Sequence, residues 1–236
     1  RLGVHVYTMA DIDRHGIHIV MEKAVANVTR EADLVHVSFD IDSVDPSLAP
    51  GVGTPVNVGL DYREAHLAME MIAEGAAIID IGGESSRPGA DPVEQAEEIR
   101  RVVPVIEAIR KQSDIPISID SYKVATARAA LDAGADIVND ISALRFDPAM
   151  AGLVATAQVP VVLMHMLGDP RTMQQNPHYD DPISEINQFF DERIKFATDH
   201  GVDRKKLILD PGIGFGKRPI DNVTILSRLK EFHMHH

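Results

Sequence analysis

A short apolar run that stops at a carboxylate or amide and then turns through glycine or serine recurs along most of this chain. Residues 76–89, AAIIDIGGESSRPG, set the pattern. Small and apolar residues lead into Asp80, and a glycine pair, Glu84, two serines, Arg87, Pro88 and Gly89 follow. The arrangement returns at 115–119 before Asp120, at Ile137-Val138 before Asn139-Asp140, at 159–164 before His165, and at 207–209 before Asp210. Apolar runs of this length, separated by helical spacing, are buried parallel strands. Their polar ends arrive at the rim where α/β folds place their ligands.

The rest of the chain fits the same scheme. Strands are expected over 4–9 and 34–39, the second running into Asp40-Ile41-Asp42 and a Pro- and Gly-rich loop up to Gly59. Helices are expected over 12–28, 62–74, 122–133, 148–156, 183–200 and 223–232. Gly75, Gly134 and Gly201 supply helix ends, where a left-handed residue is best tolerated. The helix after the Asp80 strand should open at Asp91-Pro92-Val93-Glu94, with a capping Asp, Pro at the first helical position and a Glu to complete a capping box. Seven strand-helix units without a linker make one α/β domain over 1–236. The sheet should be mainly parallel with right-handed crossovers. The expected architecture is a barrel-like, TIM-type wall, closed or incomplete, and the alternative is an open doubly wound sheet.

Composition removes several function classes. At 236 residues with 44% hydrophobic content, the chain is long enough for one large domain. Its formal charge of −13 opposes nucleic acid, whose phosphates would be repelled. No apolar run approaches the ~18 residues of a membrane helix. The absence of cysteine removes thiolate chemistry. The ending HMHH is expected to be a tag remnant over 233–236, and its histidines are left out of any metal site. If the sheet has open edges, their unpaired backbone groups would invite a homo-oligomer.

Three residues form the principal candidate set. Asp120, Asn139 and Asp210 each end a different strand, so in a barrel they converge on one rim. Carboxylates accept paired N–H donors, and an amide both donates and accepts. The alternative is that strand-end carboxylates cap the following helices. Ser86 and Arg87 follow the Asp80 strand, and the planar guanidinium suits a phosphate, although loop arginines are commonly solvated. Residues 212–217, GIGFGK, offer backbone N–H groups and Lys217 to an anion. Asp40 and Asp42 alternate along a strand end and can face one divalent cation. Such cations want about six oxygen ligands, so two carboxylates would hold one weakly, and solvated strand-end carboxylates are the alternative.

From about Glu74 to Phe232 the chain closely resembles dihydropteroate synthase, a TIM-barrel enzyme of folate synthesis. The likeness rests on IDIGGESSRPGA, ISIDSYK (117–123), IVNDIS (137–142), VVLMHM (161–166) and LILDPGIGFGK (207–217). It implies that Asp120, Asn139 and Asp210 hold a pterin, with Met164 nearby. It also implies that Ser86, Arg87, Phe215 and Lys217 face pyrophosphate or aminobenzoate, and that Mg²⁺ steadies the leaving group. Apolar residues at strand ends are more commonly core, which is the alternative for Met164 and Phe215. Position 86 holds Ser where the family usually has Thr. The family's first-strand Asn, seventh-strand Lys and eighth-strand Arg have no counterpart.

Residues 1–73, through SFDIDSVDP and GVGTPV, are similar to the manganese ureohydrolases (arginase and agmatinase), which would make Asp40 and Asp42 Mn²⁺ ligands. That family's other ligands have no counterpart. The expectation is a deliberately recombined cytoplasmic chimera of 1–73 and 74–232, with a partial pterin pocket and little turnover. The alternatives are residual dihydropteroate synthase activity and a weak ureohydrolase.

Overall fold

The computed structural model describes residues 7–29, 36–39, 77–86 and 91–235. Two helices, α1 (Met9–His15) and α2 (Ile17–Thr29), precede β1 (His36–Phe39). The repeat then runs β2 (Ile78–Gly82), α3 (Gln95–Arg110), β3 (Ile117–Asp120), α4 (Val124–Asp132), β4 (Ile137–Asp140), α5 (Met150–Ala157), β5 (Val161–Met164), α6 (Pro182–Asp199), β6 (Leu207–Asp210), α7 (Pro219–Ser227) and α8 (Lys230–His235).

The six strands form one sheet in the order β1-β2-β3-β4-β5-β6, and every neighbouring pair is parallel. Strand order never reverses. A doubly wound sheet has a switch point where it does, so the expected alternative is excluded over these strands. Sequential parallel order is the wall of an α/β barrel. Among the described residues no pairing joins β6 back to β1.

Register separates the two faces. Ile81 lies opposite Ile119, Ile119 opposite Val138, Val138 opposite Val161, and Val161 opposite Leu207. This row packs with Val102 and Ile106 of α3, Ala127 and Ala130 of α4, and Leu153 and Val154 of α5 in the main core. Side chains alternate along a strand. The other face therefore carries Asp80, Ser118, Asp120, Asn139, Met164 and Asp210. Across β2 to β6 the helix-covered face is apolar apart from Asp140, whereas the concave face carries these polar groups beside Ile78, Ile137, Val162 and Ile208.

Several boundaries differ from expectation. Strand 4–9 does not reach its expected end: Thr8 donates its N–H and hydroxyl to Asp11 at 2.8 and 2.7 Å, starting α1 at Met9. Residues 1–6 lie outside the described set, so six of the seven expected strands are seen. The single helix over 12–28 is divided at Gly16, whose φ of 79° interrupts the helix. The capping box at 91–94 does not form. The Val93 N–H donates instead to Glu84 at 2.7 Å, so helix α3 begins only at Gln95. The last helix starts earlier, at Pro219, with Asp221 accepting the Arg218 N–H, and is divided before α8. The expected helix over 62–74 and loop up to Gly59 lie outside the described residues. No described helix is long and apolar enough to cross a membrane.

Candidate active site

The strand ends build the site. Asp120 lies opposite Gly82 on one side and Asn139 on the other, and Asp210 lies opposite Met164. By alternation Asp80, Asp120, Asn139 and Asp210 share the concave face, as the sequence predicts for three of them. The Asn139 amide donates to Asp80 Oδ2 at 3.0 Å, reaching across the whole of β3. Strands two apart in a flat sheet stand roughly 10 Å from one another. Side chains from such strands meet readily only where the sheet curves and their tips converge, which is the curvature of a barrel wall. Asp80 is 5% exposed.

The adjacent Asp140 goes the other way. It points to the helix-covered side, where its carboxylate accepts from Ser142 N–H and hydroxyl and from Leu144 N–H at 2.8, 2.6 and 3.0 Å. Burial pushes its carboxyl up despite these bonds. They hold Ala143 and Leu144, both in left-handed backbone at φ 52° and 63°, a conformation that costs about 1–2 kcal/mol per residue. Asp140 supports the loop behind the rim, and Asn139 belongs to the rim itself.

Ser86, Asp120, Ser121 and Tyr122 line one small, partly open cleft together with Glu84, Glu98, Ile141 and Pro170. Arg87 lies outside the described residues, as do Asp40 and Asp42. Among the described residues no group of three His, Cys, Asp or Glu could hold a metal ion.

The glycine segment after β6 folds back on the chain after β5. Gly212, at φ 65°, sits so close to the chain after β5 that an added Cβ would come within 2.1 Å of the His165 carbonyl oxygen. The turn is tied by Asp210, which accepts the Gly212 N–H at 2.7 Å. It folds back against residues 165–167 and carries Lys217 inward to 3% exposure. There the ammonium meets His165 Nδ1 at 3.0 Å, the His165 carbonyl at 3.2 Å and the Phe215 carbonyl at 2.9 Å. These three partners of Nζ lie within the fold, whereas the resemblance implies that Lys217 faces pyrophosphate or aminobenzoate. Burial lowers its pKa to about 7, against the carboxylates of Asp210 and Asp221. His165, 4% exposed and edge-on to Phe189 at 4.8 Å, is brought to about 3 by burial, then by Lys217 and Arg145. The ring is neutral, and when Lys217 is an ammonium, which can only donate, Nδ1 is the acceptor. Met164 and Phe215 meet in an apolar cluster with Ile141, Met166, Met173 and Tyr122 just beneath the rim.

Sequence reasoning did not single out Glu84, Glu98, Lys123 or His165, nor Asp80 as a member of the site. Four of them lie inside the quoted motifs, but the side chains they meet are 25 to 59 residues away in the chain.

Six parallel strands in sequential order, with polar groups at their carboxyl ends, define a barrel-type α/β protein. Its family can be stated: residues 58–236 match the model of the pterin binding enzymes, and the chain belongs to that family. The dihydropteroate synthase of Synechocystis is 48% identical over 166 residues, covering 70% of this chain and 57% of that protein. That of Escherichia coli K12 is 47% identical over 163 residues, covering 69% and 57%. Among solved structures, the Yersinia pestis dihydropteroate synthase with a sulfonamide drug superposes with a TM-score of 0.71 at 39% identity, covering 86% of this chain and 70% of that one. The Xanthomonas albilineans enzyme in complex with 7,8-dihydropteroate gives 0.67 at 36% identity, covering 86% and 70%.

The chain thus spans 57% of the length of these two curated relatives. The ureohydrolase likeness of residues 1–73 receives no support from these comparisons. The family match begins at residue 58 and so crosses the expected junction at 73–74. The chimera and the manganese hydrolase lose their basis accordingly.

Proposed function

We propose that this chain carries the pterin site of a dihydropteroate synthase and serves the condensation of a pterin methyl pyrophosphate with p-aminobenzoate. The aminobenzoate nitrogen attacks the pterin methylene carbon and the carbon–oxygen bond to pyrophosphate breaks. Pyrophosphate departs with the electron pair, and the nitrogen loses a proton. The observation that carries this reading is the set of polar strand ends on one concave face, Asp120, Asn139 and Asp210, with Asp80 bonded beneath Asn139.

An aminopyrimidinone edge presents N–H donors beside acceptors. The two carboxylates accept from it, and the Asn139 amide complements the remainder. Met164 and Phe215 offer an apolar floor to the aromatic rings. Ser86 gives its hydroxyl to the phosphate end, in the cleft that also holds Asp120. A positioned anion acceptor lowers the barrier when charge develops on the leaving group.

The test has two arms. Calorimetric titration with pterin pyrophosphate should show saturable heat from a single site. Adding p-aminobenzoate should release pyrophosphate in a coupled assay. No heat with the pterin would end the reading, and heat without release would confine it to binding.

A further inference from the structure

The loop after β2 is restrained by far more than its own backbone. At Gly83 a methyl group would stand 2.9 Å from both Glu98 Cγ and Val102 Cγ1, so only glycine lets the loop lie this close on α3. Arg101 donates to the Gly83 carbonyl at 3.0 Å. Next to it Glu84 accepts from the Tyr122 hydroxyl at 2.6 Å, the Val93 N–H at 2.7 Å and the Lys123 ammonium at 2.5 Å. Lys123 gives its other protons to Glu98 at 2.6 Å and to the Val93 carbonyl at 2.7 Å. One ammonium therefore ties together the β2 loop, the chain entering α3 and the start of α4.

The arrangement is enclosed. Glu98 is 1% exposed, and the Lys123 and Glu84 side chains are 17% and 12% exposed. Pairs so withdrawn from water hold their geometry firmly, because a carboxylate left there without its cation is costly. Glu84, Glu98 and Tyr122 also line the cleft that contains Ser86 and Asp120. The hydrogen bonds of Glu84 and Lys123 point at each other rather than into that space, so they act on a ligand through the loop.

We propose that Lys123 is a positioning residue: by binding Glu84 and Glu98 at once it holds residues 82–86 so that Ser86 faces the cleft beside Asp120, ready for the phosphate end of a pterin pyrophosphate. The proposal rests on the pterin site described above. A loop opening with Gly82-Gly83 has wide backbone freedom, and a ligand that had to order it would bind more weakly. The clamp removes that cost before the ligand arrives. The pterin ring, held from the strand ends, does not depend on it.

The full chain, Lys123→Met and Lys123→Arg would each be titrated calorimetrically with hydroxymethylpterin pyrophosphate and with hydroxymethylpterin. Amide exchange would be followed in parallel at 82–86 and at 137–140. Lys123→Met should weaken the pyrophosphorylated ligand about tenfold or more and the plain pterin less than about threefold. It should also speed exchange at 82–86 about tenfold and leave 137–140 unchanged. Lys123→Arg, whose guanidinium can span both carboxylates, should recover most of both effects. Equal loss of the two ligands, or unchanged exchange at 82–86, would overturn the proposal. If the unaltered chain binds neither pterin, the pterin reading fails, and the exchange measurement still decides the clamp. Should Lys123→Met not fold, Tyr122→Phe removes one donor from Glu84 and spares the ion pairs. It should show the same pattern at smaller amplitude, and behaviour identical to the unaltered chain would count against the clamp.

Discussion

The side-chain amide of Asn139 donates to the buried carboxylate of Asp80 at 3.0 Å, binding the end of β4 to β2 across the strand between them. Removing the donor leaves a buried carboxylate short of a partner, which costs about 1–3 kcal/mol. Asn139→Ala should lower the urea midpoint accordingly. Asn139→Asp should destabilise further near neutral pH, because two carboxylates would meet, and should recover as pH falls and one takes a proton. A penalty for Asn139→Asp, measured against the unaltered chain at each pH, that is no larger at pH 7 than at pH 4.5 would show that the contact is not made.

The pterin face and the support behind it can be separated by adjacent residues. Asp120→Asn and Asp210→Asn should each weaken pterin binding about 10- to 100-fold in calorimetry, since a charge-assisted acceptor is lost. Asp140→Asn acts on the loop whose three donors it holds. It should lower stability by about 1–3 kcal/mol and change pterin affinity far less.

Two glycines of one turn give an internal comparison. An added Cβ at Gly214, φ 87°, meets nothing within 4 Å, whereas at Gly212, φ 65°, it meets the His165 carbonyl at 2.1 Å. Gly214→Ala should carry only the left-handed backbone cost of roughly 1–2 kcal/mol. Gly212→Ala adds displacement of the backbone behind β5 and should cost more than about 3 kcal/mol. Urea midpoints of the two variants test the difference, and equal losses would mean that the turn is not packed against residue 165.

His165 and Lys217 imprint themselves on the pH dependence of stability. The folded His165 has a pKa of about 3 against 6.5 for an ordinary histidine. Between these values the unfolded chain holds a proton that the folded one lacks, so stability falls as pH drops from 6.5 toward 3. One such proton contributes about 1.4 kcal/mol per pH unit. Lys217, at about 7 against 10.5, obeys the same sign at higher pH, and stability should rise from pH 7 toward 10.5. In His165→Gln the acid slope should flatten by about one proton. Chemical denaturation at half-unit pH steps measures it, and an unaltered slope would place the proton elsewhere.

Most of the wall was legible because its signals are local. Short apolar runs, each ending in a polar group, mark strands β2 to β6 within a residue or two, and the alternation of faces places Asp120, Asn139 and Asp210 together. The helix after β2 was misplaced for a non-local reason. Asp91-Pro92-Val93-Glu94 has good capping chemistry, but Val93 N–H is claimed by Glu84, nine residues back in sequence and on another loop. The burial of Lys217 has a non-local cause as well: the glycine turn before it folds onto the His165 carbonyl, 52 residues away in the chain.

By itself the sequence determined the class of fold, the polar strand ends and the face on which they lie, because period-two alternation and strand termination are properties of a few consecutive residues. Only the tertiary structure decided which charged groups meet. Glu84 with Lys123, Asn139 with Asp80, and Lys217 with His165 lie 39, 59 and 52 residues apart, and burial then settles their protonation. Those pairings depend on strand order and sheet curvature, which no short stretch of residues encodes alone.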